Sequence, residues 1–264
     1  MLVTVNEETC TGCGLCVRIC PSRVLELRGG HPHADADTCL ACGHCVSVCP
    51  TASISCSLSP LPDAEDRRHR SPGPDEVREY MRSRRSVREY RAEPPSEKEF
   101  RNLLDLACSA ETAMNVRKVS FIVIRGREKV RALADSCADW IENSDSEYIR
   151  NRYRRVLDQY RSGYDSITCD APCLIISAAE RGYEKGRQTA TIYQTYAELY
   201  APSLGLGTCW AGILENMLLA DIPEVNSMIG LPEDRCAVGA LMAGYPDIRF
   251  RRMPYRDPAE IRFV

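Results

Sequence analysis

The sequence predicts an α+β protein in two parts, a small cysteine-rich N-terminal unit and a larger layered domain, joined by a proline-rich connection. Three observations carry that prediction. Eight of the fifteen cysteines fall in two tight groups within the first 50 residues. Residues 58–75 are rich in proline and charge and poor in large apolar side chains. From residue 76 onward, helical and strand-like segments alternate.

Composition narrows the class before any motif is read. The chain has 264 residues, 44% hydrophobic and 27% charged, as expected of a soluble globular protein. A net charge of −3 gives no broad electrostatic case for nucleic acid or an anionic membrane. The opening MLVTVNEETC has neither the basic region nor the apolar core of a signal peptide. No run of apolar residues is long enough to span a bilayer. The other seven cysteines (Cys56, Cys108, Cys137, Cys169, Cys173, Cys209, Cys236) are scattered singly. Grouped thiols beside isolated ones suit a reducing cytoplasm and thiolate ligation of metal.

The first group is Cys10, Cys13, Cys16 and Cys20, followed by Pro21; the second is Cys39, Cys42, Cys45 and Cys49, followed by Pro50. Both read C-x2-C-x2-C-x3-C-P, 29 residues apart. A cubane [4Fe–4S] cluster needs four thiolates at its corners, and a tight C-x2-C-x2-C loop with glycine turns can supply three. Zinc is the competing reading, but its sites show paired C-x2-C units rather than two full copies of this run. A radical-forming C-x3-C-x2-C site is excluded, because Arg23 and Ala52 stand where its third cysteine would be, three positions after Cys20 and Cys49. His31, His33, His44 and His69 read as solvated loop residues.

Residues 1–57 resemble a bacterial two-cluster ferredoxin over their whole length. In that pattern the fourth ligand comes from the other repeat. The resemblance therefore assigns one cluster to Cys10, Cys13, Cys16 and Cys49, and the other to Cys39, Cys42, Cys45 and Cys20. So small a unit has little apolar core, and the clusters are expected to supply much of its folding energy. Residues 58–75 are expected to form an extended linker that lets this unit reach its own second domain or a neighbouring subunit.

In the remaining domain, residues 76–264, each element has its own signal. Glu76 to Ser83 reads as a short helix. Pro94-Pro95 breaks the chain, and Ser96 with Glu99 forms a capping-box pattern. Phe100, Leu103, Leu104 and Ala107 then follow at helical spacing. Val119 to Arg125 is rich in β-formers and predicts a buried strand. Val130, Leu133, Ala134, Cys137 and Ile141 mark the face of the next helix. Residues 145–165 predict a surface or interface helix, and Gln188 to Leu204 a long helix with Pro202 near its end. Pro172 to Ala179 and Cys236 to Gly244 read as strands.

RRSVREY at 84–90 packs three arginines around a serine. On its own this is a solvated charge run or a phosphate site, since guanidinium forks match phosphate oxygens. Four more stretches set its context: DAPCLII at 170–176, LGLGTCW at 204–210, AGYPDI at 243–248 and RDPAEIRFV at 256–264. In this order the set resembles the FMN-dependent nitroreductase family over residues 76–264. The resemblance implies a three-layer α/β domain that works as a homodimer, with FMN at the subunit interface. It places Arg84, Arg85, Ser86 and Arg88 on the flavin phosphate and ribityl chain, with Arg256 completing the phosphate site. It also places Asn115 near the flavin, and the backbone of Ala211, Gly212 and Ile213 at the isoalloxazine edge.

The sequence departs from that family after Asn115. The usual Asn-x-Gln-Pro-Trp is replaced by Asn115-Val116-Arg117-Lys118-Val119, which puts the usual nitroaromatic substrate in doubt. Arg117 is open to three roles: contact with an anionic substrate, stabilisation of reduced flavin, or plain exposure. Met114, Tyr193, Tyr196, Cys209 and Trp210 read as pocket or core residues, and no catalytic acid is assigned. The expected activity is an oxidoreductase moving electrons between two [4Fe–4S] clusters and FMN to reduce a small nitro, enone or quinone acceptor. Its donor would be an external ferredoxin or NAD(P)H, although no G-x-G-x-x-G dinucleotide motif is present. The alternatives are a non-catalytic electron carrier for a partner protein, and an FMN dehydrogenase running in the oxidative direction.

Overall fold

A computed structural model describes residues 3–34, 38–57, 59–65 and 71–264. It divides the chain into two compact units: Met1–Ser71 with Thr112–Arg117, and Pro72–Glu111 with Lys118–Val264. Of the expected linker, residues 58 and 66–70 lie outside the described residues, as does His69. Its described part contains a 3₁₀ turn at Leu61–Asp63.

In the first unit, strand β1 (Val3–Val5) comes first and helix α1 (Leu15–Ile19) follows the first three cysteines. Strands β2 (Leu25–Arg28) and β3 (His31–Ala34) form a hairpin. Helix α2 (His44–Val48) follows the second three cysteines, and strand β4 (Ile54–Cys56) pairs antiparallel with β1. The sequence repeat is therefore also a structural one. Gly14 and Gly43 cap the two helices with φ of 71° and 70°, a left-handed conformation that side chains resist. At Gly43 a Cβ would also fall 2.5 Å from Ser59 Oγ. Cys20 and Cys49 end the helices in matching extended conformations, as a residue preceding proline must. Among the described residues the apolar core is small: Val3, Cys16, Val24, Leu25 and Ile54 cluster together, and Val46 and Cys56 are buried as well.

The second unit is built on a four-stranded antiparallel sheet in the order β5 (Val119–Arg125), β6 (Cys173–Glu180), β8 (Arg235–Gly244), β7 (Gly207–Trp210). Strand β6 is buried along seven consecutive residues because both of its faces are covered. Leu174 and Ile176 face one core, shared with α5 (Arg127–Glu142), α6 (Glu147–Arg161), α8 (Gly212–Leu218) and α9 (Pro223–Met228). Cys173, Ile175 and Ala179 face the other, shared with α4 (Glu97–Ala107) and α7 (Gly186–Tyr200). Helix α3 (Pro74–Ser83) buries none of its residues in this single chain. Helices on both faces of one sheet make the expected three layers.

Three local outcomes are instructive. The capping box forms as expected: the Ser96 N–H donates to Glu99 Oε2 at 2.8 Å, and the Glu99 N–H donates to Ser96 Oγ at 3.3 Å. The helix expected over 188–204 stops at Tyr200 and tightens into a 3₁₀ turn, Ala201–Leu204, where Pro202 lacks the donor to continue it. Within the LGLGTCW stretch at 204–210, the turn that closes the 3₁₀ segment ends at Gly205, and Gly207–Trp210 is strand β7.

Candidate functional site: two cysteine cavities and a cationic pocket

The first unit holds two cavities ringed by cysteines. Cys10, Cys13, Cys16 and Cys49 line one, beside Leu27. Cys20, Cys39, Cys42 and Cys45 line the other, beside Cys56. Each takes three thiols from one repeat and the fourth from the other. A zinc site would draw its four donors to one centre at about 2.0–2.3 Å. Among the described residues no three His, Cys, Asp or Glu side chains converge to hold a single ion.

Burial pushes the Cys45 thiol up to about 11 and raises those of Cys16 and Cys39. Cys49 differs. Burial opposes its ionisation, yet the Ser53 N–H at 3.3 Å and the groups of Thr51 hold its thiol below the usual range. Thiolates in such dry surroundings need a cation beside them, and a bound metal centre supplies one. The donor chemistry and the four-fold ringing both fit an iron–sulfur cluster in each cavity.

The segment Thr112–Arg117 belongs to the first unit, although the resemblance assigns it to the flavin domain. The reason is local. Asn115 Nδ2 donates to the Leu40 carbonyl at 3.0 Å and the Ala41 carbonyl at 2.9 Å, inside the Cys39–Cys42 loop. Ala41 has φ of 52°, where the first repeat has Gly12 at 67°, so this loop holds an unfavoured conformation without glycine. Met114 and Asn115 are themselves left-handed, at 54° and 56°. Arg117 is exposed, whereas Lys118 pairs with Glu180 at 2.8 Å.

In the second unit, the 84–90 segment is clamped between two strand ends. Ser86 pairs with Thr208, and the Val87 N–H donates to the Thr208 carbonyl at 2.9 Å. This close approach requires Gly207, where a Cβ would lie 2.6 Å from Val87 Cγ2. On the far side the Arg91 N–H donates to the Tyr245 carbonyl. Arg84 and Arg85 thereby line a cavity of about 600 Å³ together with Arg91, Arg249, Glu198 and Asp247. Arg85 Nη1 is anchored on the carbonyls of Arg82 and Arg84. Arg84 stands 3.5 Å from Glu198. Burial raises the Glu198 carboxyl and Arg84 draws it partly back. A cavity of this size with several guanidinium groups can hold an anionic phosphate ester.

The other expected positions are more dispersed. Ser86 is half-buried and Arg88 is exposed. The Ala211 N–H is already taken by the Ala240 carbonyl; Gly212 opens α8 and the Ile213 carbonyl accepts from the Cys137 thiol. Arg256 lies in the exposed C-terminal segment, without a partner among the described residues. Tyr193 is buried in the core, Tyr196 donates to Glu111, and Met114 is exposed. Trp210 Nε1 donates to the buried Glu215, which also pairs with Arg187 at 2.9 Å. Glu198 and Cys56 were not picked out from sequence. A lone glutamate on a helix carries no signal, but Cys56 falls 29 residues after Leu27, the spacing of the cysteine repeat.

Family models match both units: a 4Fe-4S dicluster domain at residues 4–53 and the nitroreductase family at residues 81–245. Fold and sites thus define an iron–sulfur domain followed by an oxidoreductase fold. The chain belongs to the nitroreductase family. It is 23% identical over 192 residues to the FMN reductase (NAD(P)H) of Bacillus subtilis, covering 70% of this chain and 72% of that one. It is 23% identical over 170 residues to the iodotyrosine deiodinase of Thermotoga neapolitana, covering 64% and 88%. The crystal structure of an FMN-bound nitroreductase from Bacteroides fragilis superposes with a TM-score of 0.60 at 23% identity, covering 72% and 98%.

Proposed function

We propose that this chain is an FMN-dependent oxidoreductase with a built-in two-cluster ferredoxin, which reduces a small organic acceptor of nitro, enone or quinone type. The observation that carries this reading is the presence, in one polypeptide, of two four-cysteine cavities and an arginine-lined cavity in a nitroreductase fold. When bound, the clusters pass single electrons and the flavin exchanges them for two-electron chemistry.

The chain's own residues do the holding and the tuning. Cys10, Cys13, Cys16 and Cys49 ligate one cluster, and Cys20, Cys39, Cys42 and Cys45 the other. Arg84 and Arg85 hold the flavin phosphate, with Ser86, Arg88 and Arg256 completing the grip in a homodimer. The Ala211–Ile213 backbone borders the ring system. Asn115, through its two carbonyl contacts, secures the second cysteine loop. An external ferredoxin or NAD(P)H serves as donor. Among the described residues no helix is long and apolar enough to cross a membrane.

Anaerobic reconstitution tests this reading directly. The purified chain should carry about eight iron atoms and one FMN. A combined Arg84→Ala and Arg85→Ala variant should lose FMN while keeping its iron. Reduced protein should be reoxidised by nitroarenes, enones or quinones. Zinc in place of iron would overturn the cluster assignment, and reoxidation by protein acceptors alone would make the chain a carrier.

A further inference from the structure

The two cysteine cavities differ at one equivalent position. Leu27 and Cys56 are 29 residues apart, the offset of the cysteine repeat, and each lines the cavity of its own half. Leu27 is 45% exposed, whereas Cys56 is 2% exposed. Cys56 is fixed by its pairing with Val3 across β1 and β4 and by the Ser59 N–H, which donates to its carbonyl at 2.9 Å. It lines that cavity beside Cys39, Cys42 and Cys45. The second cavity thus holds a fifth thiol, buried beside the four that the repeat provides.

We infer that Cys56 is a positioning residue for the second cluster: its thiol donates an S–H···S hydrogen bond to the Cys39 thiolate and makes that cluster easier to reduce than the one beside Leu27. The inference rests on the cluster reading of the two cavities. Reduction adds negative charge to the cluster and its thiolates. A donor aimed at one of those sulfurs favours the more negative state, and hydrogen bonds to sulfur are among the factors that set cluster potential. Leu27 offers no such donor. Two sites with the same ligand pattern thereby become unequal, and an electron entering the unit settles at the second. That is the site whose Cys39–Cys42 loop is bonded by Asn115.

The experiment is a potentiometric titration of the anaerobically reconstituted full chain, followed by electron paramagnetic resonance. It compares the wild type with Cys56→Ala, Cys56→Ser and Leu27→Cys. In Cys56→Ala one cluster should become about tenfold harder to reduce, roughly 59 mV for a one-electron couple, while the other stays put. Cys56→Ser, which keeps an O–H donor, should recover part of the shift. Leu27→Cys should ease reduction of the first cluster, and it reads the same donor effect should Cys56→Ala fail to fold. Potentials that do not move in any variant, or that move equally at both clusters, overturn the inference. So does loss of four iron atoms in Cys56→Ala, which would make Cys56 a ligand. A wild-type chain that takes up no iron sinks the cluster reading itself, whereas loaded clusters with unmoved potentials sink only the role of Cys56.

Discussion

Among the described residues the first unit has one small buried apolar cluster, Val3, Cys16, Val24, Leu25 and Ile54, whereas the second packs separate cores against the two faces of one sheet. Apolar burial contributes about 25 cal/mol per Å², and ordering each residue costs on the order of 1–2 kcal/mol in backbone entropy alone. So small a core cannot offset that cost over the first unit, while strand β6, buried along seven consecutive residues, belongs to a unit that can. The contrast teaches that one chain can contain two kinds of stability, one resting on thiolate–metal bonds and the other on packing.

Removing the iron should break the comparison open with the largest effect. In the iron-free full chain, hydrogen exchange should show lost protection at Val3–Val5 and Ile54–Cys56, with protection retained at Cys173–Glu180 and Arg235–Gly244. Protected amides in the first unit without iron would mean that its small core suffices. The second test works from the other side. Leu174→Ala, at a position with no exposure in the central strand, should cost about 2–5 kcal/mol. A lower urea midpoint with unchanged iron uptake is the expected signature, and lost iron uptake would show that the first unit's stability depends on this packing.

The smallest effect sharpens the picture within the second unit. Ser96→Ala removes a helix cap and should cost about 1 kcal/mol. The Ser96 hydroxyl and N–H, together with the Tyr245 hydroxyl, hold the Glu99 carboxyl below its ordinary value. A carboxyl depressed in the folded state adds stability above its unfolded pKa and loses it as the pH falls through the folded one. The cost of Glu99→Gln should therefore be present at pH 7 and vanish in strong acid. Urea melts across that range check it, and a cost independent of pH would assign the effect to geometry rather than charge.

The sequence made the regular features readable for physical reasons. Thiolate spacing, the Ser96–Glu99 cap and the β-rich run at Val119–Arg125 are local patterns that need no knowledge of distant contacts. Strand β7 was hidden because GTCW is short and its glycine serves a close approach by Val87, a contact 120 residues away in sequence. The antiparallel strand order was hidden for the same reason, since it follows from pairing between distant segments. Arg84 and Arg85 were legible as an anion site from charge grouping, but Glu198 and Arg249 reach that cavity only through the fold. Asn115 was readable as a residue of interest, though not its Leu40 and Ala41 acceptors, which lie more than 70 positions earlier.

The first unit is written in two separate stretches of chain, Met1–Ser71 and Thr112–Arg117. Its borders are therefore not a place to cut. A gene truncated after residue 71 would encode every cysteine of the repeat yet omit the amide that bonds Leu40 and Ala41, leaving the left-handed Ala41 turn without that tether. Anyone transplanting this domain as an electron-carrying cassette would need to carry six residues from far downstream, or supply a glycine at position 41 in their stead.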